Sequence, residues 1–159
     1  MAAKREKSAE ISVNRKALRD YHILDRLEAG IELKGTEVKS IRAGLANVNN
    51  AFARIDNNQI WLYDVDIQPY EKASHEQHVP KRVRRLLLHR QEIDKLAGKV
   101  QVQGLTLVAL RMYWKDAVVK VEIGVGKGKL AHDKRDDLKA KAEKRETDRV
   151  VSAFNKRRG

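Results

Sequence analysis

Residues 117–125 carry the pattern that most limits what this chain can fold into, a regular alternation in which every odd position is apolar. Because successive side chains of a β-strand point to opposite faces of a sheet, this segment predicts a strand with one buried face. Residues 105–114 are rich in β-favouring residues and apolar on both parities, which is typical of a strand covered on both faces. The dipeptide Lys115-Asp116 lies between the two segments, so we predict a tight hairpin.

A second hairpin is predicted between residues 51–56 and 60–67. The connection is Asn57-Asn58, and asparagine tolerates the positive φ that a tight turn requires. In the second segment, the odd positions are Trp61, Tyr63, Val65 and Ile67, and they alternate with Asp64 and Asp66. The alternation predicts that these four side chains share one side of the strand.

The remaining elements follow from shorter patterns: strands at residues 21–27 and 31–33 around Gly30, and helices at 36–42 and 91–96. Thr36 is the expected N-cap of the first helix, and the second is expected to stop near Gly98. Many short strands with a few inserted helices favour a mainly β fold, a small closed or nearly closed barrel. Periodicity alone leaves a β-sandwich open as the alternative.

Positive charge is concentrated at the C-terminal end. The 159 residues carry a formal net charge of +12, and residues 127–159 hold 12 basic against six acidic side chains. Good helix formers fill this segment, but large apolar side chains are missing between Leu138 and Val150, so no continuous stripe can dock on a core. We predict a flexible N-terminus over residues 1–9, a barrel domain over 10–126, and a basic tail over 127–159. The tail is expected to be disordered when free and helical when bound to an acidic partner.

Composition excludes several classes of protein. With no cysteine, the chain has no disulfide, thiolate metal ligand or cysteine nucleophile. Its apolar stretches are short, and the first eight residues are charged and lack an apolar core. Neither a transmembrane helix nor a secretory signal is therefore predicted, and we expect a cytoplasmic location. A positive surplus of this size is typical of proteins whose partner is a polyanion.

A search for catalytic and ligand-binding motifs favours no enzyme class. Neither the Gly-x-Ser-x-Gly pattern nor the phosphate-binding loop pattern occurs. Gly124-Val-Gly126-Lys-Gly128 lacks the third glycine of a dinucleotide site and is interpreted as a flexible exit from the last strand. His75-Glu-Gln-His78 offers only two nearby ligands and is interpreted as a surface loop. We predict no enzyme activity, no catalytic residue, no metal and no cofactor.

A strongly basic segment makes RNA the favoured polyanion. Residues 81–90 contain five Lys or Arg side chains and no acid. Guanidinium groups suit RNA phosphates because their N–H donors form a planar fork. Three consecutive leucines are expected to anchor the segment while the charges face outward, and the alternative is a solvated run of charge. The predicted phosphate contacts are Lys81, Arg82, Arg84 and Arg85, and candidates for base stacking, each individually more often a core residue, are Tyr21, Tyr113 and Trp114.

Eight motifs follow one another along the chain: Glu28-Ala-Gly-Ile, Leu33-Lys-Gly-Thr-Glu-Val-Lys-Ser-Ile-Arg-Ala-Gly44, Arg85-Leu-Leu-Leu-His89, Val108-Ala-Leu, Tyr113-Trp-Lys, Ile123-Gly-Val, Gly126-Lys-Gly-Lys129 and His132-Asp-Lys-Arg135. Each alone is weak. In this order and at these spacings the chain resembles the small protein B family, the bacterial transfer-messenger RNA-binding proteins that are also called SsrA-binding proteins. The resemblance extends from about Ile11 to the last residues.

The resemblance implies a barrel related to the oligonucleotide-binding fold, with short helices and a tail that is unstructured when free. It also implies a function in trans-translation, the rescue of stalled bacterial ribosomes. Proteins of this family bind the tRNA-like domain of transfer-messenger RNA and accompany it, carried by elongation factor Tu, to the ribosome. There the tail enters the empty messenger channel and the small-subunit decoding centre and folds as a helix. The chain is expected to act as a monomer.

Family positions can be assigned residue by residue on the barrel. Positions that bind transfer-messenger RNA match Asn14, Glu28 and Leu87, while His89 stands where the family often has Asn and Arg19 replaces a histidine. Glu28 is open to two interpretations. It accepts hydrogen bonds from base amines, or it orients a neighbouring basic side chain.

The tail also matches family positions, at Lys127, Lys129, His132, Asp133, Lys134, Arg135, Val150 and Val151. The resemblance implies that the two lysines form the basic start of the tail and that His132 stacks on a small-subunit RNA base. The two valines occupy apolar positions that are often Ile-Met in the family.

Two other hypotheses compete with this rescue adaptor. One is a ribosome-associated structural protein with an oligonucleotide-binding barrel and a basic tail, which the composition also permits. The other is an RNA-modifying enzyme, for which the sequence shows no cofactor motif or catalytic group.

Overall fold

The computed structural model describes residues 8–71, 77–129 and 131–158, and the chain divides after Gly128 into two units. The first unit contains β1 (Ser8–Val13), α1 (Arg15–Asp20), β2 (Tyr21–Ile31), α2 (Gly35–Arg42), β3 (Ala46–Asn47), β4 (Phe52–Asp56), β5 (Gln59–Tyr63), β6 (Asp66–Ile67), β7 (Arg84–Leu87), α3 (Arg90–Gln103), β8 (Thr106–Lys115) and β9 (Val118–Gly128). The second unit contains α4 (Ala131–Arg158). Lys127, predicted to begin the tail, therefore lies on the last strand.

Seven strands form one antiparallel sheet in the order β1-β8-β4-β5-β7-β2-β9, and because β9 also pairs with β8, the six strands from β8 to β9 form a ring. One edge of β8 serves two strands, since its first residues pair with β4 and its last residues pair with β1. The mainly β prediction, with short helices and a helical C-terminal segment, is confirmed. The barrel is not strictly closed, however, because β4 joins β8 and β2 joins β7 through two residue pairs each.

The predicted hairpin of β8 and β9 is present, with Lys115 opposite Val118 and Asp116 in the turn at a φ of 55°. The odd positions of β9 from Val119 to Val125 are buried, as the alternation indicates. The other prediction, that β8 is covered on both faces, is also confirmed. Leu107 and Ala109 belong to the core inside the ring, whereas Val108 and Leu110 pack under α1 against Ala17.

The hairpin of β4 and β5 also matches the sequence, because Asn57 and Asn58 form its turn with φ values of 50° and 62°. The predicted facing of β5 is wrong. Ile60 and Leu62 are fully buried, while Trp61 and Tyr63 are only half-buried. Asp64 has a φ of 59°, which interrupts the strand and resets its alternation. Apolar residues at 65 and 67 therefore return to the core.

Two strand predictions need correction at glycines. β2 is one continuous strand through Gly30, not two, because β9 pairs with it from Tyr21 to Gly30. The glycine-rich segment at 124–128 is not a flexible exit, since it completes β9. A Cβ on Gly124 would lie 2.9 Å from Leu110 Cδ1, so the glycine makes room for the side chain on the neighbouring strand.

The helix boundaries also differ from the prediction. α2 has Lys34 as its N-cap, and the Lys34 N–H donates to Glu37 Oε1 over 2.9 Å, so Thr36 does not cap it. α3 continues past Gly98, where the partly buried Val100 keeps the helical spacing of Ile93 and Leu96 and packs against the core. It ends at Gly104, which adopts the left-handed conformation with a φ of 61°.

α4 is helical over 28 residues without an apolar stripe of its own. Its large apolar side chains are more than half exposed: Leu138 54%, Val150 64%, Val151 52% and Phe154 56%. Whether this segment is disordered in the free protein stays a prediction. Among the residues that the structure describes, no helix combines the length and the apolar character that a membrane span needs.

Candidate nucleic-acid interface

An open cavity of about 490 Å³ on the outside of the sheet brings together four of the predicted RNA-binding residues, Glu28, Arg85, Leu87 and His89. The pairing of β2 with β7 places Gly30 opposite Leu87, and the pairing of β2 with β9 places Gly30 opposite Lys120. A Cβ on Gly30 would lie 3.2 Å from Leu87 Cβ, so the glycine leaves room for the Leu87 side chain in the cavity. His89 lies at the rim as the N-cap of α3.

The three leucines of the basic segment have different surroundings. Leu86 is buried and Leu88 packs against the core, so these two anchor the segment as predicted. Leu87 does not anchor the segment, because its side chain lies on the outer face of β7 and is 47% exposed. An exposed leucine within a cavity lined by charged groups can pack against a ribose or a base.

Glu28 is held in the cavity by two hydrogen bonds. The Tyr113 hydroxyl donates to Glu28 Oε2, and Lys115 Nζ donates to Glu28 Oε1 over 3.1 Å. The Tyr113 hydrogen bond, supported by Lys115 and opposed by partial burial, holds the pKa of Glu28 below its usual value. Burial, together with Glu28, raises the pKa of Tyr113 to about 12. At neutral pH, Glu28 is therefore an ionised acceptor and Tyr113 is a neutral donor, and Lys115 is the basic side chain that Glu28 contacts.

Arg84 corrects the prediction that the charges of the basic segment face outward. Its side chain is fully buried because residues 84 and 86 share the inner parity of β7. The Nε group donates to Glu37 Oε2. The Nη1 group donates to the carbonyls of Val65 (2.9 Å) and Arg82 (3.0 Å), and Nη2 donates to that of Pro80 (3.1 Å). Arg84 thus has no side-chain surface for RNA.

Glu37 and Arg84 form an ion pair inside the barrel, and neither side chain is exposed. Burial lowers the pKa of Arg84, and Glu37 opposes that shift. For Glu37, burial raises the pKa, but the donors Arg82, Lys34 and Arg84 together outweigh it, so the pKa lies below its usual value. Both groups are charged at neutral pH and join α2 to β7.

The other basic residues of this segment lie nearer the surface. Lys81 is exposed, and the half-exposed Arg85 lies 3.2 Å from Glu32 Oε2 through its Nε group. Arg82 is partly buried and binds Glu37. Lys81 and Arg85 therefore offer more surface to a phosphate than Arg82 does.

Asn14 is 2% exposed and its side chain is hydrogen-bonded within the protein, so its contact with RNA stays a prediction. Its Oδ1 accepts from the Ala17 N–H over 3.0 Å as the N-cap of α1, and its Nδ2 donates to the Ala109 carbonyl over 2.8 Å. Asn14 therefore positions α1 on β8. Arg19 lies on the same helix with 58% of its side chain exposed, and neither residue lines the cavity of Glu28.

Sequence reasoning missed Lys115 and Lys120. Lys120 lines the cavity and Lys115 binds Glu28 there. Their signal was present, because Lys120 occupies the polar parity of β9 and Lys115 follows the Tyr113-Trp114 pair. They were overlooked because neither belongs to a run of basic residues.

His78 is a buried residue, in contrast to the surface loop that was predicted. Its Nε2 lies 2.8 Å from the Ile67 carbonyl and its Nδ1 lies 3.0 Å from Thr36 Oγ1. His75 lies outside the described residues. Within the part of the chain that is described, no three His, Asp or Glu side chains are grouped as metal ligands.

The predicted tail residues lie on β9 and in the second unit. Lys127 is exposed on β9, Lys129 Nζ donates to Asp137, and the exposed positions on α4 include Arg135, Val150 and Val151. The side chains of His132, Asp133 and Lys134 lie outside the described part of the structure. Their ribosome contacts stay predictions.

Comparison with known proteins places these features in a family. The family model described as "SmpB protein" matches residues 11–153. The chain belongs to the SmpB family. The match includes the described residues of both units from β1 into α4, and so covers the cavity of Glu28 as well as Val150 and Val151.

Curated SmpB relatives are similar over almost their whole length. The SsrA-binding protein of Carboxydothermus hydrogenoformans is 50% identical over 143 residues, covering 90% of this chain and 96% of the relative. That of Nostoc punctiforme is 49% identical over 155 residues, covering 97% of this chain and 100% of the relative. Among solved structures, a chain from "tmRNA-SmpB: a journey to the center of the bacterial ribosome" matches with a TM-score of 0.59 and 42% identity. The match covers 80% of this chain and 87% of that chain.

Proposed function

We propose that this chain is the RNA-binding adaptor of trans-translation, which binds the tRNA-like domain of transfer-messenger RNA and delivers it to stalled ribosomes. The observation that carries the proposal is the cavity that gathers Glu28, Leu87 and His89 in a chain of the SmpB family. The names of its relatives, SsrA-binding proteins, and the transfer-messenger RNA complex of its structural neighbour support the same partner.

The cavity suits a folded RNA because it combines an apolar surface with charged groups. Leu87 supplies the apolar contact, while Arg85 and Lys120 supply positive charge along its wall. Proteins recognise structured RNA by shape, phosphate contacts and splayed bases, and a wide, shallow surface allows all three. Arg19 and Lys81 are exposed basic side chains of the same unit outside the cavity.

The basic tail is proposed to probe the ribosome. Residues 127–159 carry half of the chain's positive surplus, and α4 keeps its large apolar side chains exposed. In the empty messenger channel, rRNA phosphates would compensate that charge and offset the entropy lost on ordering the tail. In this proposal Lys127, Lys129 and residues 132–135 lie at the decoding centre and Val150-Val151 lie deeper in the channel.

The remaining features of the proposal concern where and with what the chain acts. We propose that it works in the cytoplasm as a monomer, in the same delivery complex as elongation factor Tu. It acts by binding and positioning RNA, without catalysing a reaction. In this proposal, transfer-messenger RNA, elongation factor Tu and the stalled ribosome meet in one complex.

A competition binding assay at physiological salt tests the barrel. Labelled tRNA-like domain should stay bound in the presence of excess bulk tRNA, and Leu87→Ala should weaken this binding about tenfold, as expected for one lost apolar contact. Leu24→Ala is the matched control, because Leu24 is a leucine of the same unit that is 60% exposed and lies away from the cavity. Equal competition by bulk tRNA would instead favour a ribosome-associated structural protein with charge-driven RNA affinity.

A chain truncated after Lys129 tests the role of the tail, through RNA binding and peptide tagging measured on the same protein. The truncated protein should bind the tRNA-like domain as the full chain does but should fail to support peptide tagging in a translation extract programmed with a message that lacks a stop codon. Full tagging by the truncated protein would disprove the role of the tail.

A further inference from the structure

Three neighbouring strands bring together Glu28 on β2, Lys120 on β9, and Tyr113 and Lys115 on β8. We call these four residues the Glu28 cluster. Glu28 and Lys120 line the same cavity, and Tyr113 and Lys115 bind one carboxylate oxygen of Glu28 each. The cluster adjoins Leu87 and therefore lies where the proposed function places RNA.

The charge of Glu28 is unsuited to direct contact with an RNA backbone, because a carboxylate repels phosphate. Its side chain is 36% exposed, yet both oxygens already accept hydrogen bonds from the protein. Lys115 Nζ lies 3.1 Å from Glu28 Oε1, and Lys120 lines the same cavity as Glu28. The groups suited to phosphate are these two lysines.

Cations also surround the cluster. Arg26 Nη1 lies 3.3 Å from Glu122 Oε1, and Arg111 Nε lies 3.0 Å from Glu122 Oε2. The Arg111 guanidinium lies 4.5 Å from the centre of the Tyr113 ring. Two lysines and two arginines therefore lie beside Glu28 and Glu122, while Glu92 lines the same cavity, so cations and carboxylates alternate on this surface.

We propose that Glu28 acts on RNA through Lys115: the Tyr113 hydroxyl holds the carboxylate, the carboxylate holds the Lys115 ammonium, and Lys115 and Lys120 bind an RNA phosphate at the edge of the cavity. Glu28 and Tyr113 are then positioning residues, and the two lysines contact the ligand. This inference rests on the proposed function, because it names how the same surface recognises its RNA.

The energetic reason is the flexibility of lysine. A lysine side chain loses conformational entropy when its four-carbon stem is fixed in one geometry. Glu28 brings about part of that ordering before RNA binds, so less is lost on binding. An ammonium group has three N–H donors, so binding Glu28 does not exhaust its capacity to donate to a phosphate oxygen.

A double-mutant cycle on RNA binding tests this arrangement. Glu28→Gln and Lys115→Met are each expected to weaken binding of the tRNA-like domain about tenfold, and the double variant should bind about as weakly as either single variant. If Glu28 instead contacted the RNA directly, the two losses would multiply to about a hundredfold. A multiplicative result overturns the proposal.

Tyr113→Phe and Lys120→Met separate positioning from contact. Tyr113→Phe removes only the hydroxyl, so it should weaken binding about threefold and cause no further loss in the Glu28→Gln background. Lys120→Met should lower the salt-dependence slope of binding by about one phosphate contact, while Tyr113→Phe should leave that slope unchanged. An unchanged slope in Lys120→Met would contradict the phosphate site.

Asp25 supplies the matched control. It is a carboxylate of β2 that binds a single lysine, Lys99, over 2.9 Å and does not line the cavity. Asp25→Asn should change RNA binding less than twofold, and thermal melts should show that every variant is folded. Failure of the wild-type chain to discriminate the tRNA-like domain from bulk tRNA would count against the proposed function, whereas normal binding with a multiplicative cycle would count only against the role of Lys115.

Discussion

Glu37 and Glu28 are both ionised carboxylates that accept hydrogen bonds from two side chains, but their surroundings differ. Glu37 is fully buried between α2 and β7, with Arg84 and Arg82 as donors. Glu28 lies on the outer surface with about a third of its side chain exposed. Two guanidinium groups hold Glu37, whereas a hydroxyl and an ammonium group hold Glu28, and burial is the main difference between the two sites.

This difference decides what each carboxylate contributes. In the interior, water cannot replace a lost partner, so each member of the Glu37–Arg84 pair depends on the other for compensation. At the surface, water can solvate whatever a substitution leaves behind, so an ion pair adds little to stability. We therefore expect Glu37 to act on folding and Glu28 to act on binding.

The largest expected effect is that of Glu37→Ala on stability. The substitution leaves the Arg84 guanidinium buried without an anion, which should lower the free energy of unfolding by about 3–5 kcal/mol. Urea unfolding of the purified chain measures the change, with Glu28→Ala as the control carboxylate. A loss no larger than that of the control would show that the buried pair is not required for the fold.

A smaller effect is expected from acid. The pKa of Glu37 in the folded chain is below the ordinary value of 4.5. Its contribution to stability is therefore complete above that value and is lost as the pH falls towards the lowered pKa. Each unit of separation between the folded and unfolded pKa corresponds to about 1.4 kcal/mol. Between pH 5 and pH 3, wild-type stability should fall more steeply than that of Glu37→Gln, and parallel curves would refute this linkage.

The smallest effect is that of Glu28→Gln on stability at neutral pH. Because the side chain is accessible to water, the free energy of unfolding should change by less than about 1 kcal/mol, even though RNA binding is expected to fall. Thermal and urea unfolding of the variant measure the change. A loss as large as that of Glu37→Ala would remove the distinction between the two carboxylates.

Local signals explain which parts of the fold could be predicted. The turn at Asn57-Asn58 and the hairpin of β8 and β9 depend on neighbouring residues and a period of two, and both are present. The facing of β5 was missed because one residue, Asp64, takes a positive φ that its type alone does not require. The length of α3 was underestimated because Gly98, an ordinary stop signal, lies inside a helix that tertiary packing extends.

Long-range pairing explains most of what was missed at the site. Arg84 looked exposed because no acid lies near it in sequence, yet its partner Glu37 is 47 residues away. Its parity with Leu86 on β7 was the available signal. The family resemblance identified Glu28 and Leu87 at the cavity, but the contact of Glu28 with Lys115 spans 87 residues and could not be inferred from spacing.

The pairing of distant strands sets the order in which the molecule can form during synthesis. β1 pairs with β8, and β2 pairs with β9, so that Tyr21 lies opposite Gly128. Because the N-terminal end emerges first, β1 has to wait for β8, and β2, whose end can pair with β7 earlier, has to wait for β9 to complete its longer pairing. A ribosome that stops on this message before β9 is made leaves a chain in which β2 and β8 both lack their longest pairing.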